Sequence, residues 1–413
     1  MRRLVALLVV ASAALAAPAS AAIREETYRV DVRAPGELGE PVSLEANAWV
    51  PDGSAPARGR PLVMLFHGGG GTKDSAYDVL RAKAFAEHGA VTVLYSARGH
   101  GSSGGQVTVA GPKEISDLFD MTADAIERFG PVDRDKVSLW GISQGGLHTN
   151  LGQVWAHDAA INPYGIRFVA LQPGNTPDRV FEALVDREIV KLSFGVALVG
   201  LYQASTQGKV APIVDKWIAT AAADVPGAYG GDVCDMSGHD EPGSTMKADL
   251  AARSVGCRLD RWTPPVHWSQ AFDDTLFPVD MATRSVRAHG HPKDHLYLST
   301  GGHAAPGSDA AVEFDRLAHE IAWLEHVRDG APLLQPRVVY WVRDPAVPVE
   351  YGALRYGPAA WLRRTADAWP PPGTASRTFK LGGDEVTPTP GEVDPRNDPA
   401  ATTAAGAAPG GTT

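Results

Sequence analysis

The sequence predicts an α/β protein with a mostly parallel central sheet, helices on both faces and a helical cap insertion. Two observations carry that expectation. From Pro61 onward short apolar runs alternate with helical segments and glycine-rich turns, the pattern of strands buried on both faces. Between Pro173 and Pro264 the alternation gives way to helix-rich chain that carries both cysteines, and an insertion of that size at the strand ends makes a lid over a pocket.

The elements follow in order. Met1-Arg2-Arg3 is basic, Leu4–Ala17 is apolar and uncharged, and Ala19-Ser20-Ala21-Ala22 offers small residues for cleavage, so residues 1–22 read as a secretory signal and the protein as exported. Residues 25–32 and 43–50 read as an antiparallel pair around Pro35-Gly36. The strands expected next are Leu62–Phe66, Val91–Tyr95, Val137–Trp140, Phe168–Leu171, Val266–Gln270 and Leu296–Ser299. A helix over Ala310–Val327 places Phe314, Leu317, Ile321 and Leu324 on one stripe. The core thus comprises residues 23–172 and 264–330, with the cap at 173–263. A short β-like segment, 331–382, contains the strand Arg337–Val342. Residues 383–413 have no aromatic side chain and ten Gly or Pro among 31, so a disordered tail is expected.

Composition narrows the function. Of 413 residues 44% are apolar and 21% charged, with 44 Gly and 32 Pro, an ordinary globular balance that argues against a collagen-like chain. A formal charge of −10 argues against a nucleic-acid partner. No internal apolar run reaches the ~18–20 residues of a membrane span. Cys234 and Cys257 are the only cysteines; in an oxidising compartment they are expected to form one disulfide, a loop staple contributing roughly 3 kcal/mol.

The chemistry centres on Gly141-Ile142-Ser143-Gln144-Gly145, a Gly-x-Ser-x-Gly segment between the strand Val137–Trp140 and a helix over Gly146–Ala156. Such a strand–turn–helix holds its serine exposed, with the next backbone N–H (Gln144) facing a developing oxyanion. A serine needs a base, and the base an orienting acid. His303, in Gly301-Gly302-His303 after the strand Leu296–Ser299, is the candidate base; Asp274, in the turn after the preceding strand, is the candidate acid, with Asp273 its rival. The order Ser143, Asp274, His303 is one in which such triads occur. His67-Gly68-Gly69-Gly70-Gly71 after Leu62–Phe66 offers a second oxyanion donor, Gly69 first, with Gly68 or Gly70 as alternatives. A phosphate loop is rejected there because Thr72-Lys73 replaces the required Lys-Ser/Thr ending. His289, His291 and His295 form a tempting cluster, but they are read as a solvated polar loop; no metal and no cofactor is expected.

Together these segments resemble the α/β-hydrolase superfamily over roughly residues 25–330. Within it the chain resembles the X-Pro dipeptidyl-peptidase and cocaine-esterase-like group. Arg98-Gly99-His100-Gly101-Ser102-Ser103-Gly104 is similar to that group's Arg-Gly-x-Gly-x-Ser-x-Gly loop, and the next helix with Glu114 and Asp117, the Trp140-Gly141-x-Ser143 elbow and the cap position also fit. The segment 336–382 is similar to the start of the group's C-terminal β domain. The resemblance implies a serine hydrolase acting on a small ester or a short peptide, with the ester preferred. The X-Pro peptidase reading needs an acid for the substrate's free amine, for which Asp224, Asp232, Asp235, Asp240 and Glu241 of the cap are candidates. A reading of another class is a non-catalytic binding protein on a hydrolase scaffold. The oligomeric state is left open.

Overall fold

The structure, a computed structural model, describes residues 22–186, 189–223, 232–303, 310–333, 335–344 and 361–375. The tail 383–413, Asp224 and all but the last residue of the signal segment lie outside them.

The strands are β1 (Ile23–Val32), β2 (Val42–Pro51), β3 (Arg60–Phe66), β4 (Val91–Tyr95), β5 (Val132–Ile142), β6 (Ala170–Gly174), a two-strand hairpin β7 (Val185–Asp186) and β8 (Ile189–Val190), then β9 (His267–Ala271), β10 (His295–Ser299), β11 (Val338–Arg343) and β12 (Trp361–Ala366). All but the hairpin join one ten-stranded sheet, in the order β1-β2-β4-β3-β5-β6-β9-β10-β11-β12. From β4 to β11 every pairing is parallel; β1, β2 and β12 pair antiparallel.

The central strands are apolar throughout because both sheet faces are covered. Along β3, Leu62, Met64 and Phe66 enter one core, while Val63 and Leu65 enter the other. The first core takes Ile115, Leu118 and Phe119 from α2 (Pro112–Arg128) and Leu147 and Leu151 from α3 (Gln144–Trp155). The second takes Phe85 from α1 (Ala76–Glu87) and Leu317, Ile321 and Leu324 from α9 (Ala310–Asp329). Burying each such side chain contributes roughly 1.5–3 kcal/mol.

The cap contains α4 (Val180–Leu184), α5 (Leu192–Ser205), α6 (Pro212–Ala222) and α7 (Met246–Ala252), and α8 (Val279–His289) follows β9. Cys234 and Cys257 are disulfide-bonded. Two expectations need correction. Phe314 does not share the buried stripe of its helix: it is 61% exposed, although it lies at nearly the angle of Ile321 about two turns further on. The strand expected at Phe168–Leu171 instead runs from Ala170 through Pro173 to Gly174. Pro173 needs no donor there, since Gly141 pairs beside it at the strand's end. Beside β10, β11 and β12 extend the same sheet.

Arg98 ties the sheet edge to the core. Its guanidinium is 1% exposed, binds both Asp117 oxygens at 2.5 and 2.8 Å, and donates to the Ala34 and Pro35 carbonyls. Burial works against the Arg98 charge, but Asp117 outweighs it and raises the group above its ordinary range. Arg98→Ala would leave Asp117 a buried, unpaired acid, a change that costs about 3–5 kcal/mol in comparable pairs. Urea unfolding of the variant is expected to show a loss of that size.

Candidate active site

Strand β5 lies in the middle of the sheet, and the chain leaves it through Ser143 at φ 57°, ψ −119° before starting α3. A non-glycine residue with that φ is strained. The turn is held by the Ser143 N–H, which donates to the Gly174 carbonyl at 2.8 Å, and by close approach of α3 to β3. A Cβ on Gly145 would lie 2.1 Å from the Phe66 carbonyl oxygen, so only glycine lets the helix begin there.

The Ser143 hydroxyl is 2.8 Å from His303 Nε2, and His303 Nδ1 is 3.0 Å from Asp274 Oδ2. An acid on Nδ1 fixes the proton there, leaving the Nε2 lone pair to accept the serine proton. The Asp274 side chain is fully buried. Its Oδ1 accepts the Leu276 and Phe277 N–H groups, both at 2.9 Å, and its Oδ2 also accepts from the Gln270 amide at 3.0 Å. The rival acid has a different place: Asp273 Oδ1 accepts the Gly301 and Gly302 N–H groups at 2.9 Å, bracing the loop that carries His303.

Around this row sit residues that local pattern could not reveal. Asn175, at φ 40°, accepts the Ala271 N–H at 3.1 Å and turns its amide toward the Gly302 and His303 carbonyls. Phe277 presents a ring at 86° to the His303 imidazole, centroids 4.8 Å apart. Tyr202, from α5 of the cap, is buried over the glycine loop, and burial together with Glu114 pushes its phenol up. Position 69 must be glycine for that reason: a Cβ there would lie 2.8 Å from the Tyr202 hydroxyl.

The glycine loop is anchored by its first residue. His67 Nδ1 donates to the Gly68 carbonyl at 2.7 Å, and Nε2 accepts the Ala97 N–H at 3.0 Å. Burial first, then the neighbouring His100, lowers His67 to about 3, so it is neutral. Gly70 N–H points at His100 Nε2 and Gly71 N–H is taken by the Gly68 carbonyl, which removes Gly70 and leaves Gly69 and Gly68 as the expected donors. Gln144 opens α3, so its N–H has no partner one turn earlier in the helix.

Two cavities meet at Ser143. A cleft of about 600 Å³ is bordered by Gly69, His303, Asp78, Glu313 and Arg316. An apolar pocket of about 90 Å³ beneath the cap is bordered by Gln144, Val109, Leu147, Trp217, Met246 and Phe277. Ser143, Leu198 and Tyr202 border both. Val109 reaches its pocket on strained backbone, φ 54°, followed by Ala110 at 58°. Glu114 holds that bend by accepting the Thr108 and Ala110 N–H groups at 2.5 and 2.9 Å. Burial alone would raise Glu114, but His148 and those N–H groups outweigh it and hold the acid at about 2. In the cleft, burial pushes Asp78 up to about 7 against the pull of Arg81.

The cap acids named from sequence are elsewhere. Asp240 is paired with Arg253 and His239, and Asp232 and Asp235 border a separate shallow cleft; Glu241 lies with Asp240 in another. The histidine cluster is also not the solvated loop expected: His289 pairs with Asp294 at 2.9 Å, while His295 is 4% exposed and burial lowers it to about 3. Among the described residues no group of His, Cys, Asp or Glu is arranged to hold a metal ion, and no helix is long and apolar enough to cross a membrane.

Gly145→Ala tests the elbow. The added Cβ must displace the β3 backbone, so we expect a lower melting temperature and loss of reaction of Ser143 with a fluorophosphonate probe.

Comparison with known proteins agrees with this geometry. Residues 39–161 match the family model of the X-Pro dipeptidyl-peptidases, S15 family. No curated protein matches the chain in sequence. Among solved structures, the acylaminoacyl peptidase of Pyrococcus horikoshii aligns with TM-score 0.50 and 14% identity over 75% of this chain. This chain spans only 42% of that peptidase. An aminopeptidase from a marine sediment archaeon of the Thaumarchaeota aligns with TM-score 0.50 and 16% identity, over 84% of this chain and 59% of its own. With the elbow at the heart of a sheet of this order, the chain has the α/β-hydrolase fold, and its residues 39–161 are similar to the X-Pro dipeptidyl-peptidases of the S15 family.

Proposed function

We propose that the protein is an exported acyl esterase that works through Ser143, His303 and Asp274. The observation that carries this reading is the unbroken row from the Ser143 hydroxyl through both His303 nitrogens to a buried Asp274. In the reaction His303 Nε2 takes the Ser143 proton as the hydroxyl oxygen attacks the ester carbonyl. The Gln144 and Gly69 N–H groups receive the oxyanion; losing one such donor costs about 2.7–4 kcal/mol. His303 then hands its proton to the departing alkoxide, and water, activated by the same histidine, releases the acid. Export rests on the N-terminal pattern and is supported by the Cys234–Cys257 disulfide.

An ester fits the site better than an X-Pro peptide. The S15 match favours the peptidase, which must hold the free amine of the acyl-side residue. Yet the pocket beneath the cap is lined by apolar groups, and its one charged lining residue among the described ones is Lys191. A pocket of about 90 Å³, smaller than the roughly 150 Å³ apolar cavity that takes a benzene ring, suits a short acyl tail better than a twelve-carbon one.

The test is turnover of p-nitrophenyl esters and of an X-Pro p-nitroanilide by the protein and its Ser143→Ala variant. We expect Ser143-dependent ester cleavage that is strong for butyrate and weak for laurate, with little anilide cleavage. Anilide cleavage comparable to the ester rate would establish the peptidase instead. Asp274→Asn should lower kcat by about 10⁴, the size seen when a triad acid loses its charge. Asp273→Asn should cost far less, because its hold is on the loop and not on the imidazole.

A further inference from the structure

We propose that Arg253 is a positioning residue that sets the longest acyl chain the protein accepts, by clamping the strained bend that carries Val109 into the pocket beneath the cap. The inference rests on the esterase reading for the identity of the pocket's occupant. Val109 and Ala110 are consecutive non-glycine residues in the left-handed region, at φ 54° and 58°, and for a β-branched side chain that conformation is a true outlier. Strain of this kind persists only where the surroundings impose it, and it gathers at sites of function. Here it puts Val109 among the residues that border the pocket of about 90 Å³.

Opposite charges grip the bend. Glu114 accepts the Thr108 and Ala110 N–H groups, while Arg253 Nε donates to the Thr108 and Val109 carbonyls at 3.2 and 3.0 Å. Arg253 Nη2 reaches the Thr108 carbonyl as well, at 3.0 Å. The remaining guanidinium N–H groups hold the Asp240 carboxylate at 2.6 and 3.0 Å and the Asp249 carbonyl at 2.7 Å. Every donor of this side chain, which is 1% exposed, is thus committed within the protein, and none is left to anchor a substrate. Room for it depends on a glycine: a Cβ on Gly111 would lie 2.7 Å from Arg253 Nη2.

The same side chain braces a second wall. Its guanidinium lies 4.8 Å from the centre of the Trp217 ring, whose Nε1 donates to Asp249 at 2.9 Å. Trp217 borders the pocket, as do Met246 and Leu250 of α7, the helix that Arg253 terminates. One buried cation therefore joins the bend of the core to α6 and α7 of the cap. Taking a charge out of water is unfavourable, and an apolar side chain would pack behind this wall without that penalty. What an apolar side chain cannot do is donate to two successive carbonyls and fix the bend. Val109 is held in one place by those bonds and does not swing aside for a longer chain.

The experiment measures kcat/KM for p-nitrophenyl butyrate and octanoate, and the unaltered protein is expected to favour butyrate. Arg253→Met keeps an unbranched stem over Trp217 and removes the donors. In it the butyrate-to-octanoate ratio should fall about tenfold, what burying about two further methylenes is worth. Gly111→Ala pushes the guanidinium aside and leaves its charge in place; it should move the ratio the same way, and it decides the matter if the first variant does not fold. Val109→Gly should match Arg253→Met, and the double variant should add nothing further, because the arginine acts through Val109. A merely structural role would lower both rates together and leave the ratio as it was. An unchanged ratio in folded Arg253→Met or Gly111→Ala, or additive effects in the double variant, would overturn the proposal. A binding measurement separates this from failure of the esterase reading. Calorimetric titration of butyramide and octanamide into the Ser143→Ala protein, with and without Arg253→Met or Gly111→Ala, needs no turnover. Octanamide affinity that rises in those variants while butyramide affinity holds supports the length limit even where neither ester is cleaved. Octanamide affinity indifferent to both substitutions overturns it.

Discussion

The site depends on one backbone constraint: Ser143 is held at φ 57° between a central strand and the helix that follows it. Such strain costs of order 1–3 kcal/mol and persists only where the surroundings over-determine it. Here they do. Strand β5 is locked between β3 and β6, the Ser143 N–H is tied to Gly174, and α3 presses against the end of β3 through Gly145. None of these contacts can relax without disturbing the apolar core on either side of the sheet. The Ser143 hydroxyl is therefore aimed by the whole fold, not by its own side-chain preference.

The loops around it are aimed by a different means. They leave the sheet at strand ends, where their N–H groups have no ladder partners, and carboxylates, the buried Asp274 and Glu114 and the exposed Asp273, take those groups instead. Asp274 receives Leu276 and Phe277, Asp273 receives Gly301 and Gly302, and Glu114 receives Thr108 and Ala110. Hydrogen bonds to a charged acceptor are worth about 1.5–3 kcal/mol each, enough to fix a loop that buries little apolar surface. Only Asp274 also touches the imidazole, which is why two adjacent aspartates have separate duties. The Glu114 grip places Val109 in the pocket beneath the cap on backbone that a β-branched residue otherwise avoids.

How much of this is legible in the sequence follows from how local each feature is. The elbow, the histidine loop and the acid turn are short segments next to apolar strands, and their residue types answer to chemistry that acts within a few positions. Ser143, Asp274 and His303 are accordingly visible as letters. The choice of Asp274 over Asp273 is not, because it turns on which carboxylate points along the strand and which toward the next loop. Asn175 and Tyr202 are invisible for a stronger reason: each matters only through a residue more than a hundred positions away. His295 misleads because its polar neighbours suggest solvent, while the strand it opens is buried on both sides.

Charge in the cleft shows the same logic at the level of the fold. Asp78 and Glu313 are far apart in sequence and lie in the first turns of α1 and α9. These helices cover one face of the sheet, and both start at the edge where the catalytic loops emerge. Acids are favoured in first turns because the helix dipole stabilises them there, so two ordinary local preferences deliver two carboxylates beside the histidine. Arg81 and Arg316, one turn or less further along, are the expected counter-charges. They pair with Glu313 and Glu320. The cap, by contrast, brings apolar side chains of α5, α6 and α7 to the other side of Ser143. Ser143 thus stands between two unlike spaces, an apolar pocket beneath the cap and a cleft whose wall includes Asp78, Glu313 and Arg316, and the difference arises from which faces of the neighbouring helices the sheet leaves uncovered.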